Sequence, residues 1–126
     1  MTTIGFSTVE RLPRLLLHLE GVAVAIAAVV VYFWADHPWW LLLVLVLAPD
    51  LSMAAYAAGP RIGAAAYDVV HTYAIPLGIA AIGVVAQSDA AVAVALIWLT
   101  HIGVDRAIGY GLKYPTGFKD THLQRV

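Results

Sequence analysis

The amino-acid sequence predicts an all-α fold, a four-helix transmembrane bundle with short loops. Of its 126 residues, 62% are hydrophobic and only 12% are charged, and the mean hydropathy is +0.85. A soluble domain is nearer half apolar and a quarter charged, and a chain this short cannot bury so much apolar surface. Four apolar stretches are each about 20 residues long, which is the length that a membrane-spanning helix needs.

The four predicted helices follow one another with little between them. Polar or proline-containing turns separate them at Ala35–Pro38, Gly59–Arg61 and Gln87–Asp89, since proline and glycine stop or start helices. Short connections make consecutive helices antiparallel neighbours. We therefore expect a single transmembrane domain over residues 1–126, with helices at about 15–34, 39–58, 62–86 and 90–112 and a tail at 113–126.

Basic residues gather at one end of the predicted bundle, the end that holds both termini and the second turn. The opposite end carries only Asp36, His37 and Asp89. The positive-inside rule then predicts that both termini lie in the cytoplasm. The basic residues are Arg11, Arg14, Arg61, Arg106, Lys113, Lys119 and Arg125.

Composition also excludes several classes of function. The net charge of -1 gives no basic field for nucleic acid. The chain has no cysteine, which excludes disulfides, thiolate metal ligands and cysteine nucleophiles.

Ionisable residues inside the predicted spans are the candidates for function, because a charge in a bilayer is costly and is usually functional. At ~1.5 Å per residue, six of them lie at one depth, roughly 8–16 Å from the cytoplasmic end. Neighbouring helices are antiparallel, so depth increases along the sequence in one helix and decreases in the next. An agreement in depth among the four helices is therefore not expected by chance. The six are Glu20, Asp50, Asp68, His71, His101 and Asp105.

This set predicts a metal centre. Asp68 and His71 are three residues apart and His101 and Asp105 are four apart, so each pair shares a helix face. Four carboxylates and two imidazoles suit a divalent transition metal, as one or two ions of zinc or iron, in a helical bundle. All six residues are therefore predicted metal ligands. Asp50, Asp105 and Arg106 are predicted to be catalytic, with Arg106 holding an anionic group of the substrate.

Structural roles are open for the same residues. Asp50 follows Pro49 and is also compatible with a helix kink. Asp68 and His71 would suit a hydrogen-bonded pair without metal, Asp105 and Arg106 an ion pair, and Glu20 a solvated position near the headgroups.

The tail has two interpretations. It is either a lid over the site, with Lys113, Lys119, Asp120 and His122 reaching back, or an interfacial segment anchored by Tyr114 and Phe118.

Five segments carry a family resemblance: Leu47–Met53 (LAPDLSM), Gly59–Gly63 (GPRIG), Tyr67–Tyr73 (YDVVHTY), His101–Arg106 (HIGVDR) and the tail from Gly109 to His122. Together they resemble an uncharacterised bacterial integral membrane family, the domain of unknown function numbered forty-two sixty, over about residues 17–122. A weaker likeness, carried by His-x-x-x-Asp alone, is to YdjM-type membrane-bound metal-dependent hydrolases. With the predicted orientation, the resemblance implies a multi-pass protein of the bacterial inner membrane.

We therefore expect a membrane-embedded metal-dependent enzyme, hydrolase-like, that acts on a lipid-like substrate from the cytoplasmic leaflet. A di-iron oxidoreductase acting on a lipid or quinone is the first alternative. A proton or cation carrier is the second, for which a homodimer would give more room, and a structural membrane subunit is the third. The expected partners are the lipid bilayer and a lipid-like small molecule, and no nucleic acid.

Overall fold

A computed structural model describes residues 8–114 and 121–125. It confirms the all-α prediction and the four helices long and apolar enough to cross a membrane, which are Arg11–Trp34, Trp39–Ala58, Pro60–Val85 and Asp89–Ile108. The elements in chain order are α1 (Thr8–Trp34), α2 (Trp39–Leu45), a 3₁₀ segment (Ala48–Ala58), α3 (Pro60–Val70), α4 (Ala74–Val85), α5 (Asp89–Ile108) and α6 (His122–Arg125).

Helix α5 is the centre of the bundle. Helices α1 and α4 both pack against it, and α3 packs against the 3₁₀ segment. The crossing of α1 and α5 is close because each helix presents a glycine: a Cβ on Gly103 would lie 2.7 Å from the Ala25 nitrogen, and one on Gly21 would lie 2.7 Å from the Gly103 oxygen. Small residues allow such close approach of helices in lipid. Further along the same two helices, Tyr32 and Ile97 belong to the buried apolar core.

The fourth span ends four residues earlier than predicted. Gly109 adopts a left-handed conformation with φ +103, its N–H bonds to the Arg106 carbonyl, and the Tyr110 N–H bonds to the Asp105 carbonyl at 2.7 Å. This pair of bonds is the Schellman motif, which a glycine at this position favours. The chain leaves the helix at Gly109 and folds back over the end of the bundle.

The second span is interrupted by Pro49. Proline has no N–H, and its ring clashes with the carbonyl four residues earlier. That residue is Leu45, where α2 ends. Beyond the break the chain continues as a 3₁₀ segment, in which the Asp50 N–H bonds to the Leu47 carbonyl at 3.0 Å. A continuous α-helix would have bonded it to Val46 instead, so the break releases the Val46 carbonyl.

The third span is interrupted in the same way by Pro76. In a continuous helix its ring would clash with the Thr72 carbonyl. The helix is broken between Val70, the end of α3, and Ala74, the start of α4. His71 stands at this break with φ -103 and ψ 16, outside the helical conformation. Both breaks lie next to residues that the sequence singled out as candidate ligands.

Candidate metal centre

Four of the predicted ligands converge on one point. Asp50 comes from the 3₁₀ segment, His71 from the break between α3 and α4, and His101 and Asp105 from α5. One ligand atom from each residue lies within 4.8 Å of all the others. The two histidines are buried and the two aspartates are partly buried. These four residues form a cluster that could hold a metal ion.

Five of the six distances between the ligand atoms are close to the edge length of a coordination tetrahedron, and the sixth, between the two carboxylates, is within 4.8 Å. His101 Nε2 lies 3.0 Å from Asp50 Oδ1 and 3.2 Å from Asp105 Oδ2. His71 Nε2 lies 3.2 Å from Asp50 Oδ1, 3.5 Å from Asp105 Oδ2 and 3.1 Å from His101 Nε2. Ligands at the usual zinc distances of about 2.0–2.1 Å in a tetrahedron lie ~3.3 Å from one another.

The proton positions on the two imidazoles follow from their outer contacts. His101 Nδ1 lies 2.5 Å from the Val46 carbonyl oxygen, and His71 Nδ1 lies 2.9 Å from the Tyr67 carbonyl oxygen. A carbonyl only accepts, so each Nδ1 carries the proton and donates it. In a neutral imidazole the other nitrogen is then an acceptor. With both imidazoles neutral, the two Nε2 lone pairs point at each other and at the two carboxylates.

This arrangement is that of histidines bound to a metal. Metal-ligating histidines almost always donate their second N–H to a carboxylate or a backbone carbonyl, which fixes the tautomer and the ring orientation. Four lone-pair donors facing one another without protons repel, whereas a divalent cation at their centre satisfies all four. The residues present thus fit a metal with nitrogen and oxygen ligands.

The carbonyl that orients His101 is available because of Pro49, whose break in the second span releases Val46. The ring of His71 is held further by Tyr67, whose ring stacks on it with centroids 3.7 Å apart and an interplanar angle of 8°. Sequence reasoning did not identify Val46 or Tyr67 as part of the site.

Two side chains of α5 satisfy the carbonyls released by the break in the third span. Trp98 Nε1 donates to the Val70 carbonyl at 2.6 Å, and Arg106 Nη2 donates to the His71 carbonyl at 3.0 Å. Arg106 Nη1 also donates to the Tyr110 carbonyl at 3.1 Å. Unsatisfied backbone groups are costly in a membrane, so these contacts stabilise the break that presents His71.

A cavity of about 240 Å³ lies beside the cluster. Its lining combines the two carboxylates with side chains from the 3₁₀ segment, α3 and the chain after α5. The ammonium of Lys113 lies 4.5 Å from the centre of the Tyr67 ring, within the range of a cation–π contact. Burial lowers the pKa of Lys113, and the carboxylates of Asp105, Asp68 and Asp50 act in the opposite direction. The lining residues are Asp50, Met53, Tyr67, Asp105, Tyr110 and Lys113.

Two of the predicted ligands are not brought into the cluster. Glu20 is exposed on α1. Gly21, the next residue, packs on α5. Successive residues of a helix point about 100° apart, so Glu20 points away from that contact. Asp68 Oδ1 instead accepts the Lys113 N–H. The three-residue spacing to His71 assumes one continuous helix, and α3 ends at Val70.

Arg106 also differs from its predicted role. It is only 6% exposed, and its two terminal nitrogens donate to backbone carbonyls rather than into the cavity. The cation that lines the cavity is Lys113.

The tail folds back onto the bundle where it is described. Lys113 forms an isolated antiparallel bridge with Thr121, and the Leu112 N–H donates to His122 Nδ1 at 2.7 Å. Burial lowers the pKa of His122, and the charge of Arg106 lowers it further. The other tail residues predicted to reach back or to anchor the segment, Lys119, Asp120 and Phe118, lie outside the described residues.

Comparison with known proteins agrees with the resemblance read from the motifs. The comparisons with curated proteins and with solved structures give no match. A family defined by a domain of unknown function, DUF4260, matches residues 14–126. This match covers the first span from Arg14 onward, the other three spans, the four clustered ligands and the tail. The chain therefore belongs to the DUF4260 family, which is defined by a domain of unknown function.

Proposed function

We propose that this protein is a membrane-embedded, metal-dependent enzyme that hydrolyses a lipid-like substrate. The observation that carries the proposal is the pair of imidazoles whose Nε2 lone pairs face each other at 3.1 Å between two carboxylates, next to a cavity. Such a donor set suits zinc, and it also suits iron. A bound divalent ion polarises an ester or phosphoester and lowers the pKa of water beside it.

One ion is favoured over two. The two-metal centres of helical bundles use four carboxylates and two histidines, and the described residues bring two carboxylates to the cluster. Glu20 and Asp68, which would complete the larger set, are placed elsewhere. This supports hydrolysis over the di-iron chemistry that the sequence left open.

Asp50 is the residue best placed to act on substrate. Its side chain is 32% exposed, whereas that of Asp105 is 15% exposed and those of His71 and His101 are almost fully buried. Catalytic metal sites keep one position available for water or substrate. In this proposal His71, His101 and Asp105 would hold the ion. The Asp50 carboxylate, which faces the cavity, would accept the proton of the attacking water and pass it to the leaving oxygen as the ester bond breaks.

Elemental analysis of protein purified in detergent tests the metal centre. We expect about one transition-metal ion per chain in the wild type, loss of the ion in His101→Ala, and retention in Asp68→Asn, whose carboxylate lies outside the cluster. A wild type without metal, or equal loss in both variants, would contradict the proposal.

Turnover tests the reaction. Metal-loaded wild type is incubated with a panel of ester and phosphoester amphiphiles, and Asp50→Asn is compared with Asp68→Asn. We expect hydrolysis to be lost in the first variant and kept in the second. Hydrolysis that survives both Asp50→Asn and His101→Ala would refute the assignment.

A cation carrier is the second candidate, because four protein ligands can also fill a tetrahedral site completely, as in metal sites without an open position. It is distinguished by loading proteoliposomes with a metal-sensitive dye. Metal uptake without hydrolysis of any amphiphile would favour the carrier over the enzyme.

We also propose that the cluster faces the cytoplasmic half of a bacterial inner membrane, because the basic residues concentrate at that end of the bundle. The chain has no cysteine, so single cysteines can be introduced without a background. Ala35→Cys should react with an impermeant thiol reagent on intact cells, and Ala58→Cys only after lysis. The reverse pattern would invert the orientation.

A further inference from the structure

A second, apolar cavity is lined by residues that include chain neighbours of the candidate metal cluster. Its volume is about 250 Å³, and its lining includes Ala48, Pro49, Val70, Val94 and Trp98. If a methylene group takes about the 30 Å³ of a water molecule, the cavity has room for a chain of roughly eight carbons. The cavity is formed between membrane-spanning segments, where the available apolar ligand is an alkyl chain.

Both cavities are lined by residues of the cluster or by their neighbours in the chain. Pro49 and Val70 line the apolar cavity, and the next residues along the chain are Asp50 and His71 of the cluster. On α5, Val94 and Trp98 lie roughly 10–16 Å deeper along the helix axis than Asp105, which lines the polar cavity. The polar cavity thus lies toward the end of the bundle and the apolar one toward its middle, in the same order as the headgroup and chain of a bilayer lipid.

The charged groups that line the polar cavity indicate which kind of lipid headgroup it would bind. The polar cavity contains the carboxylates of Asp50 and Asp105 and the ammonium of Lys113. The two carboxylates would cancel the charge of a divalent ion, and the Lys113 ammonium lines the same cavity as a cation suited to contact an anionic group. The backbone of Lys113 is fixed by its N–H bond to Asp68 and by its bridge to Thr121, which keeps the side chain over the cavity.

We propose that the ligand is an anionic alkyl phosphate amphiphile, with its phosphate group between the metal and Lys113 and its chain in the apolar cavity. This inference rests on the proposed function and names its substrate class. It assigns recognition of the anion to Lys113 rather than to Arg106, and it places the metal at the junction between headgroup and chain.

Binding is measured by titrating amphiphiles into metal-loaded protein in nanodiscs, with empty nanodiscs subtracted. The probes are dodecyl phosphate, dodecyltrimethylammonium and ethyl phosphate. We expect dodecyl phosphate to bind at least about tenfold more tightly than either of the others, since it alone offers both the charge and the chain.

Two pairs of variants separate the contributions. Lys113→Met should weaken dodecyl phosphate binding about tenfold, leave dodecyltrimethylammonium unaffected, and be rescued by Lys113→Arg. Ala48→Phe, which fills the apolar cavity, should reduce dodecyl phosphate binding to the level of ethyl phosphate. Ala81→Phe, at an exposed position on α4, is the matched control and should bind normally.

The metal content of each sample keeps the two proposals apart. Protein without metal would overturn the proposed function and this inference with it. Metal-loaded protein that binds the three probes equally, or in which neither Lys113→Met nor Ala48→Phe changes binding, would overturn this inference alone.

Discussion

The role of Pro49 in presenting a backbone carbonyl to His101 should be measurable as metal affinity. Pro49→Ala supplies an N–H at residue 49 and removes the ring that clashes with the preceding turn, so the helix can continue. In a continuous α-helix the Asp50 N–H bonds to the Val46 carbonyl. That carbonyl would then be shared with His101 Nδ1, which now lies 2.5 Å from it.

The expected magnitude follows from the role of outer-shell partners in metal sites. Removing such a partner weakens metal binding about 10–100-fold, which corresponds to about 1.4–2.8 kcal/mol. We expect Pro49→Ala to fall within this range, because His71 and its Tyr67 carbonyl are not altered. Asp50 itself would also move as the 3₁₀ segment rewinds, which acts in the same direction.

The assay is a competition titration of zinc between the protein in detergent and a chromophoric chelator of known affinity. Pro60→Ala is the matched control, since Pro60 opens α3 at a position where a helix needs no N–H, and its zinc affinity should be unchanged. Wild-type affinity in Pro49→Ala, or an equal loss in Pro60→Ala, would refute the proposed link between the helix break and the ligand.

Three other perturbations follow from the described contacts. Gly103→Ala should destabilise the bundle by about 1–3 kcal/mol in thermal unfolding, because its Cβ meets the backbone of Ala25 on α1. Gly78→Ala, with open space around it, should be neutral or stabilising. Burial lowers the pKa of His122 below its ordinary 6.5, so the docked tail binds fewer protons than the undocked tail. Docking should be complete above about pH 6.5 and weaken below it, seen as a lower protection factor of the Leu112 amide against hydrogen exchange, and His122→Asn should remove this pH dependence. Chelation should lower the melting temperature in proportion to metal occupancy, by the equivalent of about 2.7 kcal/mol at a metal concentration 100 times Kd; an unchanged melting temperature would argue against a bound ion.

The spans and most of the site could be predicted from sequence because both depend only on the positions of residues along the chain. Apolar length identifies a span whether or not the helix inside it is continuous. Depth in the membrane is likewise a count of residues from a helix end, and a break shifts it little. Asp50, His71, His101 and Asp105 were therefore placed in one layer, and the structure brings the four together.

The choice of helix face could not be predicted, because it depends on continuity and on crossing angles. Asp68 was paired with His71 on the assumption of a regular helix, but the helix breaks at His71 and the Asp68 carboxylate accepts the Lys113 N–H instead. Pro76, in the middle of an otherwise apolar run, was the available signal for that break. The position of Glu20 could not be predicted without knowing which face of α1 packs on α5. Gly21 marks that face, but only once its packing partner Gly103 is known.

The same breaks that create the candidate centre explain why α5 carries so many polar side chains. In a bilayer each carbonyl released from a helix needs a donor. His101 serves the carbonyl released in the second span, and Trp98 and Arg106 serve two released in the third. The hydrogen bond from His101 Nδ1 to the Val46 carbonyl thus fixes the orientation of His101 before any metal binds. The candidate centre is therefore preorganised. An apolar helix of equal length in place of α5 would remove two ligands and would also leave the carbonyls released at both breaks without donors.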